Sequence, residues 1–372
     1  FRNSKIDTMR KKHFLFASVL ALLCGSSTLH AQDFKLTSSG YFKNQGVDVM
    51  AFDDIYPEGH QGGVCIIMNG HRVATNGDIR LEATPGQWQP VPKQLDRKLG
   101  DNSITATLCY PDSSRHLTGF NPMIYPDLHL IYTVNVESKG KNIEVTVDLD
   151  RPIPQEFIGK VGFNLEFFPG SLFGKPWIMD GQSGIFPQQP NSPLMTTQPN
   201  YLHTGNYHDG KKSLADMDKL IGKGYSPIVA DDIISEPYAK GTKFTSRPDD
   251  PYNKVTIESL SGDLQLFDGR MNHNNGWFVL RSNIKPGVTK GAVKWIITPN
   301  VVADWMYQPV IQTSQIGYHP TQDKEAVIEM DIRDNRKETA QIIRIDADGE
   351  KVVKNVTPAN WGKFLRYNYL KV

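Results

Sequence analysis

Two runs of alternating apolar residues meet at a polar turn in residues 128–149, which read LHLIYTVNVESKGKNIEVTVDL. Every second residue is apolar from Leu128 to Val136, and again from Ile143 to Leu149. A period of two places these side chains on one face of a strand. The polar, glycine-containing segment between the runs is typical of a hairpin turn. Residues 128–149 therefore predict an antiparallel hairpin with one buried face.

Further runs of alternating apolar residues lie on the carboxyl side of the hairpin. They include Val161, Phe163, Leu165 and Phe167; Val255 and Ile257; Leu264 and Leu266; Trp277 and Val279; and Val293, Trp295 and Ile297. The chain also contains 31 glycines and 24 prolines, which favour many turns over long helices. Many short strands with this punctuation predict an all-β fold with a large β-sandwich as its main part.

Composition and charge exclude several classes of protein. Of the 372 residues 39% are hydrophobic, which is enough for a packed core, and 41 lysines and arginines nearly balance 40 acidic residues. A nucleic-acid-binding protein would normally carry a basic excess, so we expect no nucleic-acid partner. Three cysteines are too few for a disulfide framework, and no cysteine–histidine spacing indicates a metal site. We therefore expect no metal and no cofactor.

The N-terminal segment has the features of an export signal. Basic residues follow Met9, an apolar run extends from Phe14 to Cys24, and small or polar residues lead to Ala31. This order predicts a signal peptide over 9–31, cleaved after Ala31, with 1–8 as upstream readthrough. The apolar run is shorter than the roughly 20 residues that span a bilayer, so no membrane span is expected. The exported protein would be periplasmic, cell-surface or extracellular.

Cleavage would leave two cysteines, Cys65 and Cys109, and both lie in strand-like runs. An oxidising compartment permits a disulfide between them. Two buried free thiols fit the sequence equally well, so both alternatives stay open at this point.

The strand pattern changes near residue 307. Thr298-Pro299-Asn300 ends the first set of strands, and a second set begins after Pro309. We therefore predict a β-sandwich domain over 33–305 and a smaller β domain over 308–372.

The smaller domain contains a short element that carries a family resemblance. It reads Gln315-Ile316-Gly317-Tyr318-His319-Pro320, and a strand-like run over 326–328 and a hairpin signal at Asp348-Gly349 follow it. This segment resembles the N-terminal immunoglobulin-like domain of glycoside hydrolase family 9, the cellulase and endoglucanase family. In that family the domain contains further strands and then leads into a catalytic (α/α)6 barrel.

The resemblance implies that 308–372 is a truncated, incomplete immunoglobulin-like β-sandwich. The chain would be the N-terminal fragment of an exported, endo-β-1,4-glucanase-like glycoside hydrolase acting on plant polysaccharides, and it would hold accessory domains only. Its partners would be a β-glucan-like polysaccharide and its own missing C-terminal catalytic domain. The hairpins of 33–305 are also similar to the β-supersandwich of mutarotase-like and accessory glycosidase domains.

No catalytic residue of that family can be placed in this sequence. The family uses an Asp-Ala-Gly-Asp-like motif to activate water, and inverting hydrolysis needs two carboxyl groups about 6.5–9.5 Å apart. The adjacent pairs Asp53-Asp54, Asp231-Asp232 and Asp249-Asp250 lack the Ala-Gly spacer. We expect these carboxylates to be solvated or to cap turns.

Three tryptophans are candidates for contact with a sugar, because an aromatic ring offers a large apolar face with a polar edge. Trp88 lies between two glutamines, Trp177 lies in an irregular stretch over 169–212, and Trp277 opens a strand beside the polar loop 272–276. Packing under a loop is the ordinary alternative for each of them.

Two other functions stay open. The first is a non-catalytic carbohydrate-binding or surface protein, which would use exposed tryptophans. The second is a mutarotase-like enzyme in 33–305, with His71-Arg72 and His129 as its acid and base and Glu166 as a carboxylate partner. Surface or hydrogen-bonded histidines are the ordinary alternative to that pair, since His129 falls on the polar phase of its strand.

Overall fold

The computed structural model describes residues 33–53, 62–82, 85, 90–116, 128–190, 194–196, 234–271 and 276–372. The predicted signal peptide, residues 1–8 and Trp88 lie outside the described residues. Within the described ranges, no helix is long and apolar enough to cross a membrane.

Strands dominate the described residues. The first ten are β1 Lys35–Leu36, β2 Phe42–Asn44, β3 Val47–Ala51, β4 Val64–Met68, β5 His71–Leu81, β6 Lys93–Leu99, β7 Ser103–Tyr110, β8 Leu130–Lys139, β9 Asn142–Leu149 and β10 Val161–Phe167. The next ten are β11 Pro176–Met179, β12 Gln182–Ile185, β13 Leu194–Thr196, β14 Ile234–Ser235, β15 Ala239–Gly241, β16 Lys243–Ser246, β17 Val255–Ser259, β18 Leu264–Asp268, β19 Phe278–Asn283 and β20 Val293–Pro299. The C-terminal strands are β21 Val310–Gln312, β22 Val327–Asp331, β23 Ala340–Asp346, β24 Gly349–Val356, β25 Ala359–Phe364 and β26 Tyr367–Lys371. Short 3-10 helices cover Ser113–Arg115, Gln155–Phe157, Pro169–Ser171 and Gly269–Met271.

Two large antiparallel sheets form the main body. The first sheet is nine-stranded with the order β1-β2-β3-β4-β5-β10-β19-β18-β15, and the second is nine-stranded with the order β12-β11-β16-β17-β20-β9-β8-β7-β6. This arrangement confirms the predicted all-β fold and its β-sandwich. The C-terminal strands form a separate four-stranded sheet, β21-β22-β26-β25, and the hairpin β23-β24.

The hairpin predicted from residues 128–149 is the pair β8-β9. Its register places Lys139 opposite Asn142 at the turn, where Gly140 takes φ +63°, a conformation that costs glycine little. Buried and partly exposed side chains alternate along both strands. The period of two in the sequence follows because one face of this hairpin contributes to the core of the sandwich.

The core lies between the two sheets and is centred on Trp295 of β20. The edge of its ring meets Phe163 of β10, with ring centroids 5.0 Å apart and planes at 83°. Its indole N–H donates to Ser282 Oγ on β19 at 3.0 Å. A single side chain of the second sheet therefore makes both an apolar and a polar contact with the first sheet.

One edge of β5 is covered by side chains instead of a strand. Strand β4 pairs with β5 only as far as Gly77, so the last residues of β5 have no β4 partner. The Leu81 N–H donates to the hydroxyl of Tyr110 at 3.0 Å, and that hydroxyl donates to the Pro90 carbonyl at 3.0 Å. The Tyr132 hydroxyl donates to Asp78 Oδ1 at 2.8 Å. Tyrosines of the second sheet thus provide hydrogen-bond partners for polar groups at the open edge of β5 in the first sheet.

Replacing Tyr110 by phenylalanine tests this edge. The ring stays, but Leu81 N–H and the Pro90 carbonyl lose their partner, and an unsatisfied buried polar group costs about 1–3 kcal/mol. We expect the free energy of unfolding in urea to fall by that amount. The exposed Tyr252 provides the control, and Tyr252→Phe should change stability by less than about 0.5 kcal/mol. Equal stability of the two variants would contradict the proposed role of Tyr110.

Cys65 and Cys109 are not joined by a disulfide. Cys65 is buried in β4 of the first sheet, and Cys109 is half-buried in β7 of the second. Of the two alternatives that the sequence leaves open, the structure does not show the disulfide, and only Cys65 is fully buried.

The C-terminal strands have a small core of their own, formed by Ile328, Met330 and Leu370. The hairpin predicted at Asp348-Gly349 is confirmed as β23-β24, in which Asp346 pairs with Gly349. Large apolar side chains of this part are exposed: Ile316, Ile342, Ile345, Val352, Val353, Trp361 and Phe364. The domain limits at 305 and 308 stay a prediction.

Candidate functional site

A groove with a volume of about 400 Å³ lies between the first sheet and the C-terminal strands. Side chains of β1–β3 form one wall, and the segment 305–307, the end of β22 and the start of β26 form the other. Its lining combines aromatic rings with charged groups: Trp305, Tyr307, Tyr367, Lys35, Lys43, Asp48 and Arg366. Clefts between domains are a preferred place for ligand sites.

An ion pair joins the two walls. Arg366, at the turn before β26, donates to Asp48 Oδ2 on β3, and Asp48 is buried while Arg366 is partly buried. The guanidinium also lies 5.4 Å from the centre of the Tyr367 ring, a distance at which cations and aromatic faces attract. Burial raises the pKa of Asp48, while Arg366 and Lys43 oppose that shift.

Trp305 is held in the groove through its backbone and its ring. Its carbonyl accepts from Gln45 Nε2 at 2.9 Å and from Arg333 Nη2 at 2.5 Å. Gly46 lies under the ring, and a Cβ on this glycine would come within 2.7 Å of the indole. The φ of Gly46 is +66°, so both its space and its backbone require glycine. These contacts hold Trp305 against the turn between β2 and β3.

The C-terminal wall contains a carboxylate and a phenol with fixed protonation states. Burial disfavours the charge of Asp331, but hydrogen bonds from Arg333 and from the Tyr307 N–H outweigh it and lower the pKa to about 2. Burial raises the pKa of Tyr307 to about 12, helped by the hydrogen bond of its hydroxyl to Glu329 Oε1 at 2.9 Å. At neutral pH Asp331 is therefore charged and Tyr307 is neutral.

The rings of the groove form a continuous aromatic strip. The centroid of Tyr307 lies 6.2 Å from that of Trp305 and 5.1 Å from that of Tyr367. Asp48 and Asp331 each have an arginine as partner. Because both carboxylates are engaged in this way, the arrangement suits binding of a polar ligand with apolar faces better than cleavage of a bond.

The structure places two of the three predicted tryptophans on different sheets. Trp177 lies in β11 of the second sheet, although the sequence suggests an irregular stretch there, and its side chain is only 6% exposed. A Cβ on Gly184 of β12 would come within 2.5 Å of its ring, so the backbone covers it closely. Trp277 precedes β19 of the first sheet and packs edge-on against Phe168 at 4.5 Å. Their contact with sugar stays a prediction.

The residues named for a mutarotase-like site do not lie on one element. His71 begins β5 of the first sheet, His129 precedes β8 of the second, and both histidines are exposed. Glu166, in contrast, is buried in β10 and accepts a hydrogen bond from Asn76 Nδ2. The described contacts join neither histidine to Glu166.

Asp250, of the predicted acidic pairs, acts as the sequence suggests, whereas Asp53 lies 3.7 Å from Arg97 Nη1. Asp250 accepts hydrogen bonds from Arg247, Asn253 and the Tyr252 N–H, so it caps a turn. Asp54 and the pair Asp231-Asp232 lie outside the described residues. Among the described residues, no group of three or more histidine, cysteine or acidic side chains is arranged to hold a metal ion.

The groove is not visible in the sequence. Trp305 and Tyr307 mark the change between the two sets of strands, but their partners Asp48 and Arg366 lie far away along the chain. The only local signal was the aromatic pair itself, placed directly at the predicted boundary.

Comparison with known proteins gives similar solved structures but no family. No family model matches the sequence, and no curated protein matches it. A galactose mutarotase-like protein from Lactobacillus casei has a TM-score of 0.33 at 12% identity, covering 69% of this chain and 97% of that one. A galactose mutarotase related enzyme from Lactobacillus acidophilus has a TM-score of 0.32 at 11% identity, covering 71% and 98%. Heparan sulfate lyase HepC from Pedobacter heparinus has a TM-score of 0.27 at 11% identity, covering 81% of this chain and 41% of that one. These names are those of carbohydrate-active proteins, and similarities this low do not define a family for the chain.

Proposed function

We propose that the groove binds a polysaccharide chain, and that the protein holds the accessory β domains of an exported glycoside hydrolase resembling family 9. The observation that carries the binding proposal is the aromatic strip of Trp305, Tyr307 and Tyr367 beside fixed charges. A sugar ring presents apolar C–H faces and a rim of hydroxyl groups. Aromatic faces complement the former, and hydrogen-bonding side chains complement the latter.

The charges of the groove support a neutral, hydroxyl-rich ligand. Asp48 and Asp331 are paired with Arg366 and Arg333, so their charges are already compensated within the protein. Carboxylate oxygens can accept from hydroxyl groups, and Lys43 beside Asp48 can donate to them. A β-glucan-like polysaccharide of plant origin has this chemistry.

The exposed apolar side chains of the C-terminal strands support a partner domain. Ile345 is 75% exposed, Phe364 is 65% exposed and Trp361 is 64% exposed. Exposed apolar side chains of this size form an interaction surface where they lie together. We propose that the catalytic domain of the same endo-β-1,4-glucanase-like enzyme covers it, in agreement with the resemblance of 310–372. Reading the gene downstream of residue 372 tests this part, and a following sequence without a catalytic domain would refute it.

Export by the segment 9–31 belongs to the same proposal. It would place the protein in the periplasm, at the cell surface or outside the cell, where plant polysaccharides are met. A non-catalytic carbohydrate-binding protein would use the same groove, and only the downstream sequence separates these two functions.

Binding can be measured by affinity electrophoresis and calorimetry with soluble β-glucan and xyloglucan. We expect the Trp305→Ala variant to lose tenfold or more in affinity, since removal of one aromatic contact of about 1.4 kcal/mol gives that factor. The matched control is Trp361→Ala, because Trp361 is exposed but lies outside the groove lining.

The Lys43→Ala variant leaves the aromatic strip intact and should weaken binding without changing the melting temperature. Absence of binding to every glucan tested would refute the proposed function. An equal loss of affinity in Trp305→Ala and Trp361→Ala would show that the binding site lies outside the groove.

A further inference from the structure

A cluster of buried polar side chains covers the face of the first sheet that points away from the second. Phe163, Leu165 and Phe167 of β10 face the core, so Asn164 and Glu166 between them face the other way. The cluster consists of Asn76, Asp78, Arg80, Glu82, Asn164, Glu166 and Arg281, and each is exposed by 8% or less. We call it the far-face cluster.

Hydrogen bonds connect the far-face cluster across three neighbouring strands. Arg281 Nη1 on β19 donates to Asn164 Oδ1 at 2.8 Å and to Glu82 Oε1 at 3.2 Å. Asn164 Nδ2 on β10 also donates to Glu82 Oε1. Arg80 Nη1 lies 3.7 Å from Asp78 Oδ2 on the same strand. The cluster is therefore one electrostatic unit, in which a proton on one member affects the others.

The charges of the far-face cluster do not balance when every group is ionised. Asp78, Glu82 and Glu166 supply three negative charges, and Arg80 and Arg281 supply two positive charges. One uncompensated charge in a buried site costs several kcal/mol. A single bound proton makes the cluster neutral.

Two atoms show where that proton fits. Asn76 Oδ1 and Asp78 Oδ2 are buried and have no hydrogen-bond partner among the described residues. Both are acceptors, and they belong to residues two apart on the same strand. A protonated carboxyl group is a donor, so a proton on Asp78 Oδ2 converts one of these two buried acceptors into a donor.

We infer that the folded sandwich binds a proton on Asp78 and that loss of this proton destabilises the first sheet. Asp78 Oδ1 is already occupied, since it accepts from the Tyr132 hydroxyl and from the Ile79 N–H. Oδ2 is thus the oxygen left for the proton.

The surroundings of Asp78 determine the pH at which it loses its proton, and they bring that pH close to neutral. The groups around it are Arg80 and Glu82 from the β5 segment, Glu166 from β10, Arg281 from β19, and Tyr110 and Tyr132 from β7 and β8. Burial raises the pKa of Asp78 to about 6 against the opposing effects of Arg80 and Tyr132. Burial likewise raises the pKa of Glu82 to about 7, which Arg281 opposes.

The direction of the pH effect follows from these shifts. An aspartate in the unfolded chain has a pKa of about 3.9, below the folded value. The folded state therefore binds more protons than the unfolded state between about pH 4 and pH 7. Stability from this group is complete below the unfolded pKa and is lost as the pH rises through the folded pKa. The sandwich is then best suited to mildly acidic surroundings.

The test compares urea unfolding of the full chain and of Asp78→Asn from pH 4 to pH 8. The amide keeps an acceptor for Tyr132 and carries a permanent donor in place of the bound proton. We expect the unfolding constant of the wild type to rise between about pH 4 and pH 6, and the rise in Asp78→Asn to be smaller by up to tenfold per pH unit, because Glu82 alone then contributes. Asp96→Asn, at an exposed position of β6, should keep the wild-type profile.

A measurement on the wild type alone needs no variant. Unfolding in urea at pH 6, followed with a pH indicator dye, should release about one proton or more per chain, and the infrared carbonyl band of a protonated carboxyl group should disappear. Release of no proton would overturn the inference. A wild-type profile in Asp78→Asn, with a flat profile in Glu82→Gln, would also overturn it, because the proton would then reside on Glu82.

Discussion

Replacing Arg281 by methionine should lower the free energy of unfolding by about 3–5 kcal/mol, the usual result of removing one partner from a buried ion pair. Arg281 is 1% exposed and donates to Glu82, to Asn164, and to the backbone carbonyls of Glu82 and Lys160. Methionine fills much of the same volume but leaves the Glu82 carboxylate without its cation. Equilibrium unfolding in urea at pH 8 measures the effect.

The cost should shrink in acid, because Glu82 then takes up a proton and no longer needs the cation. The control is Arg344→Met, since Arg344 and Asp346 form an exposed pair that contributes about 1 kcal/mol at most. A loss below about 1 kcal/mol for Arg281→Met at pH 8 would show that Glu82 is neutral there in the wild type.

Replacing Trp295 by alanine should also destabilise the sandwich by about 3–5 kcal/mol, the range for removal of a large aromatic side chain from a core. The ring is 1% exposed, contacts Phe163 edge-on, and donates to Ser282. Its removal opens a cavity between the sheets and leaves the Ser282 hydroxyl without this donor. We expect the midpoint of urea unfolding to fall, while the slope of the free energy of unfolding against urea concentration stays unchanged.

Trp361→Ala serves as the control for the core variant, because Trp361 is 64% exposed and its loss should change stability by less than about 0.5 kcal/mol. Similar midpoints for the two variants would mean that the contact between the sheets does not depend on Trp295.

Strands buried on one face could be predicted from the sequence, and those buried on both faces could not be predicted in the same detail. The β8-β9 hairpin has one buried face, so its period of two is visible in the sequence. In β10 all seven residues are buried, yet Asn164 and Glu166 look like a solvent face in the sequence. Burial of these polar residues depends on partners such as Arg281, which are distant in the chain.

Strand β11, the groove and the buried acidic groups are not predicted by the sequence for one physical reason: each depends on contacts that only the fold creates. Strand β11 is only four residues long and begins at a proline, so Trp177 looks irregular in the sequence. The groove depends on Asp48 and Arg366, which are joined only by the fold. The sequence suggests histidines as acid and base, whereas Asp78 and Glu82 are acidic groups whose pKa values burial raises to about 6 and about 7. Burial rather than residue type determines those shifts.

The tyrosine-covered edge of β5 also affects how the protein behaves at high concentration. An open strand edge presents free N–H and carbonyl groups that can pair with a strand of another molecule. Here the Leu81 N–H donates to the Tyr110 hydroxyl and the Ile79 N–H donates to Asp78 Oδ1. Neither N–H is therefore available to a strand of a second chain. Loss of either cover would create a site for strand addition between molecules, and aggregation could then increase even while most of the protein remains folded.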